Sequence, residues 1–477
     1  MTHYLDISVV QIQRWLAQAP TLKGRRGASS MIRLATEPER IRALLCGHGD
    51  SVGINTEQGF IDGVVSMVVA DDSGAGVAVE REILAHLRAA LPTATLRVIR
   101  SRGASYGSRV AESSLDWPAA TPEWPLGRPC TWCRRFPASE ISGDDSGPER
   151  VALCLDCGSR RSHAGSAQSP KAIPGPERDL IARLDDPRPV PDDFEALARL
   201  GLGRARDNTH IALIYADANA LGRFITSIAG SAPTLLPKLP AVVHEATWAA
   251  VVAGVAAIDT GQSSVPVIAH LVGGDDIVVS VPAHGVWDFT VAMTEAFTAT
   301  VAEVLAEAVA AVPVDAAHTV DSEVVAGSAV AVRDRISAPK LSAGVVVHHE
   351  SFPFNTVIDL AADLLRRAKV AAPGRAMVCW QSVTHEGDQP TTRPPFPAAA
   401  LREAADALTG LASLPASQRQ ELSWLLREAD ASISDLDTQL RRMGLRAVAA
   451  PFLPERNRTG TGIGFPDALD MVRWWRA

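Results

Sequence analysis

The pattern of apolar and polar positions divides the chain into four stretches. In the first, Tyr4-Leu5-Asp6-Ile7-Ser8-Val9-Val10 reads as a strand and leads into a helical stretch and then the basic segment Lys23 to Ser30. Gly63 to Ala70 reads as a second strand. Val79 to Leu91 follows as a helix, because Ile83, Leu84, Leu87 and Leu91 recur at helical spacing. Thr95 to Ile99 closes the unit as a further strand, so residues 1–115 are expected to form a small α+β unit.

Residues 116–175 differ: prolines cluster, apolar periodicity fades, and such a stretch folds around a metal if it folds at all. Residues 176–386 return to the mixed pattern. Strands are expected over His210–Ala216, Val265–Val272, Ile277–Val281 and Ser342–His348, with helices around Ala246 and over Val291–Ala311 and Thr356–Lys369. The similar layout of the two mixed units suggests an internal duplication, although no residue-level repeat is visible. The proline-rich linker Gly387 to Pro397 opens a helical stretch, 387–477, in which Leu401, Ala404, Ala405, Leu408 and Leu411 share one face. The terminal pair Trp474-Trp475 reads equally as core closure or as an exposed partner anchor.

Composition adds limits. The chain has 477 residues, 47% hydrophobic and 21% charged, which is globular and long enough for several cores. A net charge of -8 excludes a surface that binds nucleic acid throughout. RNA or subunit contacts are therefore sought in local clusters: Lys23-Gly24-Arg25-Arg26, Arg100-Ser101-Arg102 and Arg134-Arg135. The longest strongly apolar run without a formal charge, Ala246 to Ile258, has 13 residues. A membrane span needs roughly 18. With no signal-peptide pattern at Met1 to Lys23, a soluble cytoplasmic chain is expected.

Four of the six cysteines form two Cys-x2-Cys pairs, Cys130/Cys133 and Cys154/Cys157, separated by 20 residues. Each tight turn aims two thiolates at one point, and two such turns complete a tetrahedral Zn²⁺ shell. A filled shell leaves no position for water, so the zinc is expected to be structural. Cys46 and Cys379 have no partner spacing, and Cys379 lies in a strand-like run.

The main chemical signal is Gly273-Gly274-Asp275-Asp276 between two strand-like runs. Two glycines make a hairpin turn that another molecule can approach, and strand alternation sends the two aspartates to opposite sides. A solvated turn has the same sequence signature. A second carboxylate, Asp217, ends the buried-type strand Ile211 to Ala216, after which the chain enters a helix through Leu221-Gly222. Carboxylates on adjacent strands can converge on divalent metal, as nucleotidyl transfer requires. Downstream, Ser342-Ala343-Gly344 offers small side chains and a hydroxyl beside a nucleotide base. Lys369 ends a helix where it can reach phosphates or simply favour the helix C-terminus.

The ordered set Tyr215-Ala216-Asp217-Ala218-Asn219-Ala220-Leu221-Gly222, Gly273-Gly274-Asp275-Asp276, Ser342-Ala343-Gly344 and Ala368-Lys369 resembles the palm domain of the large polymerase-like subunit of type III CRISPR effector complexes. The opening Leu5 to Leu16 with Gly24 to Ser30 resembles that family's first palm unit, and the cysteine module sits where the family often has one. The resemblance covers most of residues 4–385. It implies an α+β architecture of two ferredoxin-like palm domains, an intervening four-cysteine zinc module and a C-terminal helical domain.

The resemblance also implies an activity. In RNA-activated antiviral defence, ATP is joined into cyclic oligoadenylate messengers with Mg²⁺ or Mn²⁺, in a complex with other type III effector subunits, guide RNA and target RNA. Asp217, Asp275 and Asp276 would hold the metal, with the Ala218 carbonyl assisting, and Asn219, Gly222, Gly273, Gly274, Ser342 and Lys369 would line the nucleotide site.

Three departures qualify the resemblance. The family often has aspartate where Asn219 stands. No His-Asp dipeptide occurs, so the nuclease activity of longer relatives is not expected. In the first unit only Asp62 stands near the corresponding turn, which reads as a catalytically degenerate palm. Competing readings are a dinucleotide cyclase related to GGDEF proteins, in which Ile277 would be phenylalanine, a stand-alone synthase of another phage-defence operon, and a nucleotide-binding scaffold without turnover.

Overall fold

The computed structural model describes residues 1–58, 61–70, 73–118, 128–142, 151–164, 175–200, 209–231, 236, 238–310, 338–387, 393–426, 433–453 and 462–475. Its strands, in chain order, are β1 (Thr2–Val9), β2 (Val52–Ile54), β3 (Val64–Val69), β4 (Leu96–Gly103), β5 (Val110–Asp116), β6 (Glu140–Ser142), β7 (Val151–Leu153), β8 (His210–Asn219), β9 (Ile268–Gly273), β10 (Asp276–Pro282), β11 (Lys340–His349), β12 (Met377–Ser382) and β13 (Phe396–Pro397). They form two large sheets, ordered β2-β3-β1-β4-β5 and β13-β12-β11-β8-β10-β9, with β6 and β7 paired by themselves.

Four successive strands of each sheet lie in the same spatial order, second-third-first-fourth, which is the ferredoxin-like arrangement. The duplication suggested by the hydrophobic pattern is thus present in topology. It extends to a backbone detail. The residue between the first strand and its helix has left-handed φ in both halves, +54° at Gln11 and +61° at Ala220. A left-handed residue turns the chain sharply from sheet to helix, at a cost that non-glycine residues rarely accept. The first sheet gains β5 beyond β4, and the second gains β12, parallel to β11, with β13 outside it. The end of the proline-rich linker is therefore the outer strand of the second sheet.

Strand alternation separates two cores. Leu213, Val278 and Val346 point to one face of the second sheet, where the Phe354–Ala371 helix and the inner residues Leu5, Ile7 and Val9 of the first sheet share a single apolar cluster. Gly344 lets that helix approach: a Cβ there would stand 2.1 Å from the Ala361 carbonyl oxygen. Ala212, Ile214, Ala216 and Val345 point to the other face, onto the Leu239–Ile258 and Val286–Ala310 helices.

Among the described residues, the apolar side chains of the C-terminal helices join this second cluster. Leu401, Ala404, Leu408, Leu411 and Trp474 are buried in it, and Trp287 donates to the Met471 carbonyl at 3.2 Å. The expected single amphipathic stripe is broken into the Ala399–Glu403 and Ala405–Ala412 helices, and Ala405 is only half-buried. Trp474 closes the core at 2% exposure. The Leu239–Ile258 helix is long and apolar enough to cross a membrane by length and composition alone, with mean hydropathy 1.6. Half of it is buried inside the fold against its neighbours.

One expected basic patch does not exist. Lys23 to Ser30 lies inside the Leu22–Thr36 helix, where Arg25 and Arg26 are only 3% and 8% exposed. Arg25 lies over the Phe354 ring at 3.7 Å, and Arg26 makes a bidentate pair with Glu177, both bonds 2.8 Å. These guanidiniums join the chain to itself and are not available to RNA, because a buried charge must be paired where it sits. Arg134 and Arg135 are exposed, whereas Arg100 is paired with Glu80.

Candidate active site and cysteine centre

The second sheet gathers the carboxylates at one end of a single face. Asp217 is near the end of β8, on the side that carries Leu213 and Tyr215. One step beyond the paired Ile277 and Ala216, Asp276 begins β10 opposite it. Asp275 belongs to the turn and not to a strand, so alternation does not send it away. It lies close enough to the Asp217 side chain for that carboxylate to raise its pKa. This differs from the opposite-sided pair expected from sequence, and it leaves three carboxylates near enough for Asp217 and Asp276 to act on Asp275 and for Asp217 to act on Asp276.

Their electrostatics follow from crowding. Burial, then the Asp217 side chain and the Asp276 charge, push Asp275 up to about 8. Burial and Asp217 push Asp276 up to about 7, against Lys369 and a hydrogen bond from Gln13. Tyr215, on the same face, is raised by burial and by all three carboxylates. A site that resists its own negative charge is one that a cation relieves. The protein's own cation here is Lys369, in the last turn of the Phe354–Ala371 helix and ion-paired with Asp217.

The turn is shaped for approach. Gly274 has φ +60°, and a Cβ at Gly273, Gly274 or Gly222 would meet nothing within 4 Å. From the neighbouring helix the buried Thr247 hydroxyl stands 2.8 Å from the Gly274 carbonyl and 2.8 Å from the Val243 carbonyl of its own helix, so its one proton is shared between turn and helix.

Beside it, Asn219 and Ser342 form a buried network in which the Asn219 amide nitrogen is satisfied and its Oδ1 has no partner. The Asn219 amide donates to Ser342 Oγ at 2.6 Å and to the Arg375 carbonyl at 2.7 Å, and Ser342 Oγ also accepts from the Met377 amide at 3.1 Å. Ser342 is fully buried, so its hydroxyl ties β8, β11 and β12 together. Ala218 points into the opposite core. The sequence reading thus named Asp217, Asp275, Asp276, Gly222, Gly273, Gly274 and Lys369, which the fold leaves accessible around the turn, and Ala218, Asn219 and Ser342, whose side chains lie inside it. It missed Gln13, whose Nε2 donates to Asp276 Oδ2 at 2.9 Å, and Thr247. No local signal marks either, since both come from other elements.

The same position in the first sheet can be read by register. Ser8, three residues before the left-handed Gln11, corresponds to Asp217, three before Ala220. Its partner Val64 corresponds to Asp276, and Gly63 to Asp275. Asp62 is nearby, but burial pushes it up to about 6 and Arg33 stands 4.0 Å away.

Cys130, Cys133, Cys154 and Cys157 form the second centre, their sulfurs all within 4.8 Å of one another. The β6–β7 hairpin and the Leu155–His163 helix hold them, and hydrogen bonds from Cys154 and Cys157 pull Cys133 well below the ordinary thiol range. Four sulfurs at this spacing, in two Cys-x2-Cys turns, could hold a tetrahedral zinc ion. Cys46 is exposed and Cys379 is buried, each away from this group. The three aspartates are set more widely than the cysteines. Their oxygen donors suit a hard divalent cation.

No protein-family model matches the chain, and no curated protein matches it in sequence. Solved structures do. A chain of the Csm1-Csm4 subcomplex in the type III-A CRISPR-Csm interference complex aligns with TM-score 0.54 and 12% identity, over 99% of this chain and 69% of that one. A chain of the Csm1-Csm4 cassette in complex with AMPPNP aligns with TM-score 0.53 at 12% identity, over 99% and 69%. The same cassette in complex with cA4 gives TM-score 0.52 and 12% over the same shares. At this identity the likeness establishes the fold, which runs through the whole of the chain.

Proposed function

We propose that this chain is a metal-dependent nucleotidyltransferase that converts ATP to cyclic oligoadenylate, working within a type III CRISPR effector complex activated by target RNA. The observation that carries the reading is the convergence of Asp217, Asp275 and Asp276 beside an open Gly-Gly turn with Lys369 at its edge. Further support comes from the structural neighbours, whose cassette has been solved with AMPPNP, pppApA, cA3 and cA4.

In this reading the three aspartates would hold Mg²⁺ or Mn²⁺, and the bound ion would lower the pKa of the attacking hydroxyl and offset the charge of the triphosphate. The glycine turn admits the phosphates without a side chain in the way, and Lys369 exchanges its contact with Asp217 for a phosphate oxygen. The 3′-oxygen of one ATP forms a bond to the α-phosphorus of another. Pyrophosphate leaves, the hydroxyl proton passes to solvent, and a last intramolecular attack closes the ring. Asn219 and Ser342 act as the rigid floor, and the Ala218 carbonyl would be a further oxygen donor to that ion. The first unit, with Ser8, Gly63 and Val64 where the second has its aspartates, serves as a nucleotide platform without chemistry of its own. The four cysteines hold a structural zinc, which keeps the intervening module folded.

The test is conversion of ATP by the assembled, target-bound complex with Mn²⁺, compared with Asp275→Ala/Asp276→Ala. A second reading, a scaffold that binds ATP without turnover, is favoured by the Lys369 contact that occupies Asp217. ATP binding without pyrophosphate release under RNA stimulus would select it.

A further inference from the structure

Gln13 belongs to the N-terminal half, yet its amide touches a carboxylate 263 residues away, Asp276, at 2.9 Å. It lies on the Ile12–Ala17 helix, whose six residues are too few to be held by their own hydrogen bonds. The helix is held from outside: Trp15, Leu16 and Ala17 are buried in the core shared with the Phe354–Ala371 helix, Trp15 Nε1 donates to Thr93 Oγ1 at 2.8 Å, and the cysteine module adds a further grip. Arg160, 0% exposed, donates from Nη1 to the Trp15 carbonyl at 2.9 Å, lies over the Trp15 ring at 3.9 Å, and is oriented by Asp156 at 2.8 Å. Arg160 stands three residues after Cys157 on the Leu155–His163 helix. That helix packs so tightly on the N-terminal half that a Cβ at Gly27 would stand 1.6 Å from the Arg160 carbonyl oxygen. Physical contacts are therefore continuous from the cysteines through Arg160, Trp15 and Gln13 to Asp276.

We propose that Gln13 is a positioning residue for the carboxylate site and that the cysteine module places it through Arg160, so that zinc loading of the module tunes divalent-cation binding at Asp217, Asp275 and Asp276. The inference rests on the reading above in one respect, that these aspartates bind a divalent cation. A hydrogen bond to one carboxylate oxygen fixes the rotamer and leaves the other oxygen free for the cation. Loss of a partner that orients a metal-ligating side chain typically weakens metal binding 10- to 100-fold. Contiguity alone does not establish coupling, so the test measures the coupling itself.

Mn²⁺ is titrated into the full zinc-loaded chain and free Mn²⁺ is followed by electron paramagnetic resonance, with zinc content measured in parallel. Wild type is expected to show sites that Asp275→Asn/Asp276→Asn removes; their absence overturns the metal-binding reading and this inference with it. Given those sites, Gln13→Met, which keeps the length of the half-exposed side chain but cannot donate, is expected to bind Mn²⁺ about tenfold more weakly with unchanged zinc content and unfolding midpoint. Binding within twofold of wild type overturns the inference alone. Arg160→Met, or zinc removal from wild type where that variant does not fold, is expected to weaken Mn²⁺ binding in the wild-type background and to add nothing in Gln13→Met. Independent, multiplying effects overturn the route through Arg160.

Discussion

Replacing Asp275 by asparagine is expected to stabilise the metal-free protein while removing its chemistry. Burial and the neighbouring carboxylates hold Asp275 up to about 8 in the folded chain, against an ordinary value of 3.8. Below the unfolded value the group is protonated in both states and costs nothing. Between the two values the unfolded chain ionises while the folded chain keeps its proton, so stability falls as pH rises across roughly pH 4 to 8 and the loss is complete once the folded group ionises too. The full difference corresponds to about 6 kcal/mol at 1.36 kcal/mol per pKa unit. Because one proton serves a cluster of three carboxylates that opens to solvent, about 2 kcal/mol is the gain expected from neutralising one member.

Asparagine is nearly isosteric, so Asp275→Asn should raise the melting temperature by several degrees at pH 8.5 in buffer without divalent cations. At pH 4 it should change little. Saturating Mn²⁺ should close the gap from the other side, because a ligand of the folded state stabilises wild type by mass action. Thermal unfolding at the two pH values, with and without Mn²⁺, reads all of this. A variant that is less stable than wild type at pH 8.5 without metal, or a difference that does not change with pH, would refute the reasoning.

The remaining predictions concern the support of the site. Asn219→Asp removes the amide that donates to Ser342 and the Arg375 carbonyl and sets a buried carboxylate against an oxygen, so urea unfolding should show a loss of about 2 to 3 kcal/mol. Cys157→Ser should abolish stoichiometric zinc, measured by elemental analysis, and expose the Leu155–His163 helix to proteolysis; retention of zinc would contradict a four-sulfur site. Thr247→Val removes the proton shared by the Gly274 and Val243 carbonyls without changing shape, and is expected to raise the KM for ATP severalfold while leaving stability within about 1 kcal/mol.

Much of this architecture is legible in the sequence because it rests on local signals. Short apolar runs set β1, β3, β8, β10 and β11, near-continuous in the last three because both faces of that sheet are buried, and two Cys-x2-Cys turns mark their own convergence. What sequence misplaces are features decided by tertiary contacts. Arg25 and Arg26 read as a basic patch because charge is normally solvated, yet aromatic rings and Glu177 receive them inside. Asp275 reads as a strand residue pointing away from Asp276, but a glycine with φ +60° puts it in the turn and turns it toward Asp217. Ser342 reads as a ligand hydroxyl and is consumed by Asn219 and the Met377 amide. Gln13 is silent in the sequence, since nothing local ties it to an aspartate on another sheet.

The account's central claim is that Asp217, Asp275 and Asp276 carry out nucleotidyl transfer on ATP. It is tested most directly by incubating the assembled, target-RNA-bound complex with ATP and Mn²⁺ and resolving products by liquid chromatography and mass spectrometry. Cyclic oligoadenylates with matching pyrophosphate, lost on Asp275→Ala/Asp276→Ala while ATP-independent assembly persists, is the expected result. Bound ATP with no product, or product undiminished in the double variant, would contradict it.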